Sequence, residues 1–166
     1  SKNFQDMIII KTLLYTGTRV SELTNIKIDE VDFDKCQIKI KEGKGNKDRI
    51  VPFPTQFKEI LRGYIQTSKQ KNAIYLFESS WHKKYTTRGI QKMFKKYVTA
   101  AKISGTLTPH KMRHYLFRWL KSQGIDDALI QPYSGHESRQ SLEIYSRLSI
   151  QEAQAAYDDK ITKFPL

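Results

Sequence analysis

Thr108-Pro109-His110-Lys111-Met112-Arg113 opens a helix, and the chain then passes through Gly124, Asp126, Pro132, Gly135-His136 and Tyr145. Thr108 is a good N-cap, and the proline after it has φ already set for a first helical turn. Gly124 closes this helix, and Asp126 caps another that stops near Pro132 to Gly135. A further short helix is expected over 138–145. His110 and Arg113 lie three residues apart, so both side chains leave one face about a turn from each other. His110 also sits in the first turn, where unbonded amides and the helix dipole favour an anion. A guanidinium at 113 can donate two parallel hydrogen bonds to the non-bridging oxygens of a phosphate. His114 is read as facing elsewhere, with a structural role.

Outward from this stretch the pattern is mainly helical. Residues 4–15 place Phe4, Met7, Ile8 and Leu14 on an expected apolar face, with Gly17 ending the helix, and 19–25 forms a short helix after it. Residues 31–33, 37–41 and 49–52 alternate apolar and polar residues. They predict a three-stranded antiparallel sheet with turns at Asp34-Lys35 and Gly43-Lys44-Gly45-Asn46. Residues 54–66 are expected to be helical, with Phe57, Ile60, Leu61 and Tyr64 on one side. Residues 87–101 carry Ile90, Met93, Phe94, Tyr97, Val98 and Ala101 at helical spacing, with Thr87 as N-cap. Ser149 and Glu152 suggest a capping box for a last helix over 150–159. The fold class is therefore α+β, mainly helical, with one small sheet.

Composition narrows the partners. The chain has 166 residues and a net charge of +12. No acidic residue lies between Glu78 and Asp126, an interval holding eleven lysines and arginines, whereas seven acids outnumber four bases from Asp126 onward. A basic domain with an acid-free interval suits a polyanion, because each neutralised phosphate releases counterions. Charge alone does not choose between DNA, RNA and an acidic membrane surface, and a lysine-rich solvated surface explains it equally simply. No run of residues is long and apolar enough to span a bilayer, so no membrane partner is expected. The single cysteine, Cys36, excludes an internal disulfide and a cysteine-based zinc site and fits a reducing compartment.

The candidate chemistry rests on cations and one phenol. A phenol of pKa about 10 is a weak nucleophile unless positive groups favour the phenolate. Tyr145 is one of nine tyrosines, and a tyrosine is more often a core or rim residue than a nucleophile. Its interest comes from company: His110, Arg113 and His136 upstream of it, and Arg19 in Thr16-Gly17-Thr18-Arg19-Val20-Ser21-Glu22-Leu23. Two arginines on one phosphate can offset the charge that develops as phosphorus becomes five-coordinate. Glu22, one turn on, is expected to orient Arg19 or cap the helix. Gly135 lets the backbone turn so that His136 points inward. The histidines His82, His110, His114 and His136 lack an accompanying cysteine or carboxylate cluster, so neither a metal nor any other cofactor is expected.

These residues and their intervals resemble the catalytic domain of the tyrosine recombinases, the phage integrase family, over about residues 12–147. Arg19, His110-Lys111-Met112-Arg113, Gly135-His136 and Tyr145 match its motifs, with His136 nine residues before Tyr145 and Arg113 twenty-three before His136. The resemblance implies the tyrosine-recombinase catalytic fold and places the family's general-acid lysine at Lys44, with Lys47 the next candidate. Met112 stands where leucine is usual, and Pro132-Tyr133-Ser134 replaces an apolar Leu-Leu ahead of Gly-His.

The same likeness implies a metal-independent site-specific recombinase acting on double-stranded DNA through a 3′-phosphotyrosine, in the cytoplasm at the nucleoid. Residues 1–166 would be one catalytic domain, the C-terminal part of a longer integrase without its N-terminal core-binding domain, and the full-length protein would assemble as a tetramer on DNA. The last helix, with Ile150, Ala153, Ala156 and Tyr157 at helical spacing, would dock on its own domain or on a neighbouring protomer. A non-catalytic DNA-binding module derived from an integrase, and an enzyme resembling type IB topoisomerases, are the competing readings.

Overall fold

The computed structural model describes residues 2–41, 48–134 and 148–166; at 128, 132, 134 and 148–151 it describes the backbone alone. Helix α1 spans Lys2–Thr16. Ile8, Ile9 and Leu13 are fully buried, but so are Asp6, Thr12 and Thr16. The expected apolar face is therefore displaced: Phe4 and Met7 are exposed. The reason lies in the threonines. Thr12 donates to the carbonyl of Ile8 at 2.8 Å and Thr16 bonds that of Thr12, so both hydroxyls are satisfied without water and can enter the core.

Gly17 follows with φ of +64° and donates its N–H to Leu13 at 3.0 Å, closing α1 as expected. Helix α2 is Val20–Leu23, and a single 3-10 turn at Ile28–Glu30 leads into the sheet. Strands β1 (Val31–Asp32), β2 (Gln37–Ile40) and β3 (Arg49–Pro52) pair antiparallel in chain order. Ile38 faces Val51 and Ile40 faces Arg49. Ile38, Ile40 and Val51 are buried, and Ile50 points outward. This is the alternation that the sequence pattern calls for, with strand limits within a residue or so of those expected.

Helix α3 is Thr55–Gln70, longer than expected at its C-terminal end. Phe57, Leu61, Tyr64 and Ile65 are buried, whereas Ile60 is exposed. The buried stripe runs i, i+4, i+7, i+8, which leaves Ile60 on its flank. Helix α4 is Thr87–Ala100, and its N-cap is Thr86 rather than Thr87: the Thr86 hydroxyl accepts from the N–H of Gly89 at 3.0 Å. Ile90 and Phe94 carry the buried face, and Ala101 is exposed beyond the last turn.

Helix α5 is Pro109–Ser122, opened by Thr108, whose hydroxyl accepts from Lys111 N–H at 3.2 Å. Gly124, at φ +86°, turns the chain into α6, Asp127–Ser134, whose first amides bond the Asp126 carbonyl. Helix α7 is Leu148–Ile161. It includes the backbone of Ser149, and the Ser149 side chain of the expected capping box lies outside what is described. The expected helix over 138–145 lies outside the described residues.

Helix α5 packs on α1, α6 and α7, and α6 in turn packs on β3 and α7. Ala153, Tyr157, Ile161 and Phe164 are buried against the rest of this chain, and the Tyr157 hydroxyl donates to the Tyr15 carbonyl at 2.7 Å. Of the two docking sites expected for the last helix, the structure has the one on its own domain. Tyr133 is buried with its ring against that of Tyr157. Among the described residues no helix is long and apolar enough to cross a membrane.

Candidate active site

The Thr16-Gly17-Thr18-Arg19 turn is built to a tight tolerance. Thr16 and Thr18 are buried with their hydroxyls 3.1 Å apart, and the Thr16 hydroxyl accepts the N–H of Thr18. A Cβ on Gly17 would lie 2.6 Å from Cζ of Phe117, so α5 crosses the turn at a distance only glycine allows. The crossing brings Arg113 to the turn: its guanidinium donates to the Gly17 carbonyl and lies 5.1 Å over the Phe117 ring. Arg113 is 3% exposed. Burial of a cation is costly without fixed polar partners, and the Gly17 carbonyl and the Phe117 ring are two of those that orient this one.

Arg19, at the end of the same turn, is half-exposed and begins α2. Its N–H donates to Oε1 of Glu22 at 2.7 Å, and its guanidinium lies 3.8 Å from Oε2. Glu22 thus caps the helix and touches Arg19, as expected, but its main partner is Arg49. The Arg49 guanidinium takes both Glu22 oxygens, one of them at 2.9 Å. Burial pushes the Glu22 carboxyl up, and the bonds and charge of Arg49, with help from Arg19, more than reverse this and hold it below its ordinary value.

His110 is exposed on the first turn of α5, and His114 is its partner instead of facing away. The two Nε2 atoms are 2.9 Å apart, with ring centroids 4.3 Å apart and planes at 84°. Residues four apart on a helix stack along one face, the spacing that the expectation for His114 overlooked. Only one of the two Nε2 atoms can carry the shared proton, so the pair fixes the tautomer of one ring by that of the other.

Arg19, His110 and Arg113 line one cleft of about 990 Å³ between α2, α4 and the start of α5. Among the described residues on its walls are Arg19, Lys95, Lys102 and Arg113, and no carboxylate. Such a cleft attracts an anion and has no means of repelling one. Of the six candidate residues, the structure brings these three together; Lys44, His136 and Tyr145 lie outside the described residues. Among the described residues no three histidine, cysteine or acidic side chains gather as a metal site. The sequence pattern gives Arg49 no role beyond opening the strand 49–52. Its signal was Glu22, a carboxylate on a short helix that needs a cationic partner once buried.

The profile of the phage integrase family matches residues 1–152, and the chain belongs to that family. It is similar to the tyrosine recombinase XerA of Thermococcus kodakarensis, 33% identical over 156 residues, covering 93% of this chain and 55% of that protein. It is also similar to tyrosine recombinase XerC of Anoxybacillus flavithermus, 35% identical over 152 residues, covering 87% of this chain and 50% of that one. The crystal structure of XerA recombinase superposes with a TM-score of 0.78 at 30% identity, over 99% of this chain and 60% of that chain. A post-cleavage complex of XerH recombinase on palindromic difH substrate shares the fold, with a TM-score of 0.71 at 22% identity over 96% of this chain and 46% of that one. The chain spans about half the length of the curated relatives it matches. The architecture is that of the tyrosine-recombinase catalytic domain.

Proposed function

We propose that this chain is the catalytic part of a longer site-specific DNA recombinase that breaks and rejoins duplex DNA through a covalent phosphotyrosine, without a metal. The observation that carries this reading is the convergence of Arg19 and Arg113, ninety-four positions apart, beside His110 on a cleft whose described lining holds no carboxylate. In the reaction the two guanidiniums hold the non-bridging oxygens. The Tyr145 oxygen forms a bond to phosphorus as the bond to the 5′-oxygen breaks. The phenolic proton leaves to an imidazole, His110 and His136 being those available, and Lys44 protonates the departing 5′-oxygen. The 3′-phosphotyrosine conserves the energy of the broken linkage, so rejoining needs no nucleotide. Assembly of the full-length protein as a tetramer on DNA, at the nucleoid, belongs to the same reading.

The test is covalent capture. A pool of nicked duplexes with randomised sequence, which cannot religate after cleavage, is incubated with the protein, and denaturant-stable adducts are recovered. An adduct that vanishes in Tyr145→Phe supports the reading; one equally abundant in that variant refutes it, and so does failure of the wild type to capture any duplex. Arg113→Ala is expected to bind DNA nearly as well yet cleave about 10²–10³-fold more slowly, the scale of one lost transition-state donor. Binding should weaken steeply with salt.

A further inference from the structure

Arg49 has the geometry of a clamp between three separate segments of the site. It is the first residue of β3, paired with Ile40 at the end of β2, so it closes the connection 41–48 that carries Lys44. Its guanidinium grips Glu22, the residue that caps the Arg19 helix and touches the Arg19 side chain. Its Nε donates at 3.2 Å to the carbonyl of Tyr133, two residues before Gly135-His136. Both side chains of the ion pair are about nine-tenths buried. The same connection is held from its other side by Lys41, 3.0 Å from the buried carboxylate of Glu30, and by Asp48, 3.5 Å from Lys39.

We infer that Arg49 is a positioning residue for the strand-cleaving reaction: it ties Glu22, and through Glu22 the Arg19 side chain, to the start of β3 and to the Tyr133 carbonyl at the end of α6. The inference rests on the catalytic reading above. It assigns Arg49 no contact with DNA. A planar guanidinium suits this role because one flat group makes bonds in three directions at fixed angles, which an ammonium on a flexible stem does not. The effect belongs to the chemical step, because misplacing reacting groups by about 1 Å costs on the order of 10²-fold in rate.

The experiment uses the nicked duplex that the wild-type protein captures best, under single-turnover conditions, with Arg49→Met, Arg49→Lys, Glu22→Gln and the double variant Glu22→Gln/Arg49→Met. Duplex affinity and melting temperature are measured for each, and cleavage is followed below the lowest melting temperature. The expected result is a fall of about 10²-fold in cleavage rate for Arg49→Met and of at least about tenfold for Arg49→Lys, with duplex affinity changed less than about threefold. The double variant should be no slower than the worse single one, since the pair acts as a unit. Two results would overturn the inference: Arg49→Lys cleaving within about threefold of the wild type, or cleavage and affinity falling in parallel. Failure of the wild type to form any Tyr145 adduct would instead remove the catalytic reading itself, so the two failures are distinguishable.

Discussion

Replacing Gly17 and Gly63 by alanine should move stability in opposite directions. At Gly17 φ is +64°, and a new methyl carbon would sit 2.6 Å from Phe117 Cζ and 3.1 Å from Leu116 Cδ2. The left-handed backbone costs a side chain about 1–2 kcal/mol. Forcing a methyl into a packed contact costs about 1–3 kcal/mol more. Together these amount to about 2–5 kcal/mol, or a melting temperature lower by about 4–20 °C for a domain of this length. Gly63 lies inside α3 with an ordinary φ and nothing within 4 Å of the added carbon. There alanine should stabilise by about 0.5–1 kcal/mol, since it restricts the unfolded chain and suits a helix. Thermal unfolding followed by circular dichroism reads both. The Gly17 variant should also lose more cleavage than its stability explains, because the ring that must yield is the one beneath Arg113. Equal shifts for the two alanines, or a Gly17→Ala melting temperature within about 2 °C of wild type, would show that the close crossing of α5 over the turn is wrong.

Three further outcomes are expected. The Glu22 carboxyl titrates below its ordinary 4.5 in the folded protein, so its contribution is complete above that value and is lost as pH falls through the folded value. Glu22→Gln should therefore flatten the acid fall of the urea midpoint, while costing about 3 kcal/mol at neutral pH by breaking its buried ion pair with Arg49; an unchanged acid slope would contradict the pairing. Tyr157→Phe removes the hydroxyl that satisfies the Tyr15 carbonyl and should cost about 1–3 kcal/mol in urea unfolding, a neutral result counting against cis docking of α7. Thr86→Ala should destabilise by about 1 kcal/mol through loss of the α4 cap and Thr87→Ala by much less; the reverse order would restore the cap to Thr87.

How much of the fold and site is legible in the sequence depends on whether the signal is local. The strands of the small sheet, the Thr108-Pro109 start of α5 and the Gly17 stop of α1 are all set by neighbouring residues, and the structure has them at the expected places. The errors come where a side chain's surroundings decide. Met7 and Ile60 are apolar yet exposed, while Thr12, Thr16 and Asp6 are polar yet buried. The two threonines hide because each has a carbonyl one turn behind it, a partner that periodicity does not register. Tyr97, from another helix, supplies a hydroxyl to Asp6 at 2.9 Å. Arg19, His110 and Arg113 are recognisable by type and interval, and the structure places them on one cleft. The bonds holding them are not recognisable, because the Gly17 carbonyl, Arg49 and His114 become partners only when α5 crosses the turn, β3 meets α2, and the helix stacks its own fourth neighbour.

Those hidden partners share a logic of charge. A cleft that attracts an anion needs cations that are fixed in place but not neutralised, and the two requirements oppose each other, since the strongest anchor for a guanidinium is a carboxylate. The structure separates them by giving each arginine a different anchor. Arg113, deeply buried, is oriented by the Gly17 carbonyl and by an aromatic face, two contacts that carry no negative charge. Glu22, beside the turn, gives both oxygens to Arg49, outside the cleft lining, and stands 3.8 Å from the Arg19 guanidinium while accepting the Arg19 backbone N–H. Were Arg49 absent, the Arg19 guanidinium would be the nearest cation to Glu22 among the described residues, and a carboxylate drawn into that pair would offset its positive charge. Arg49 therefore guards the charge of Arg19 as well as the geometry of its neighbours.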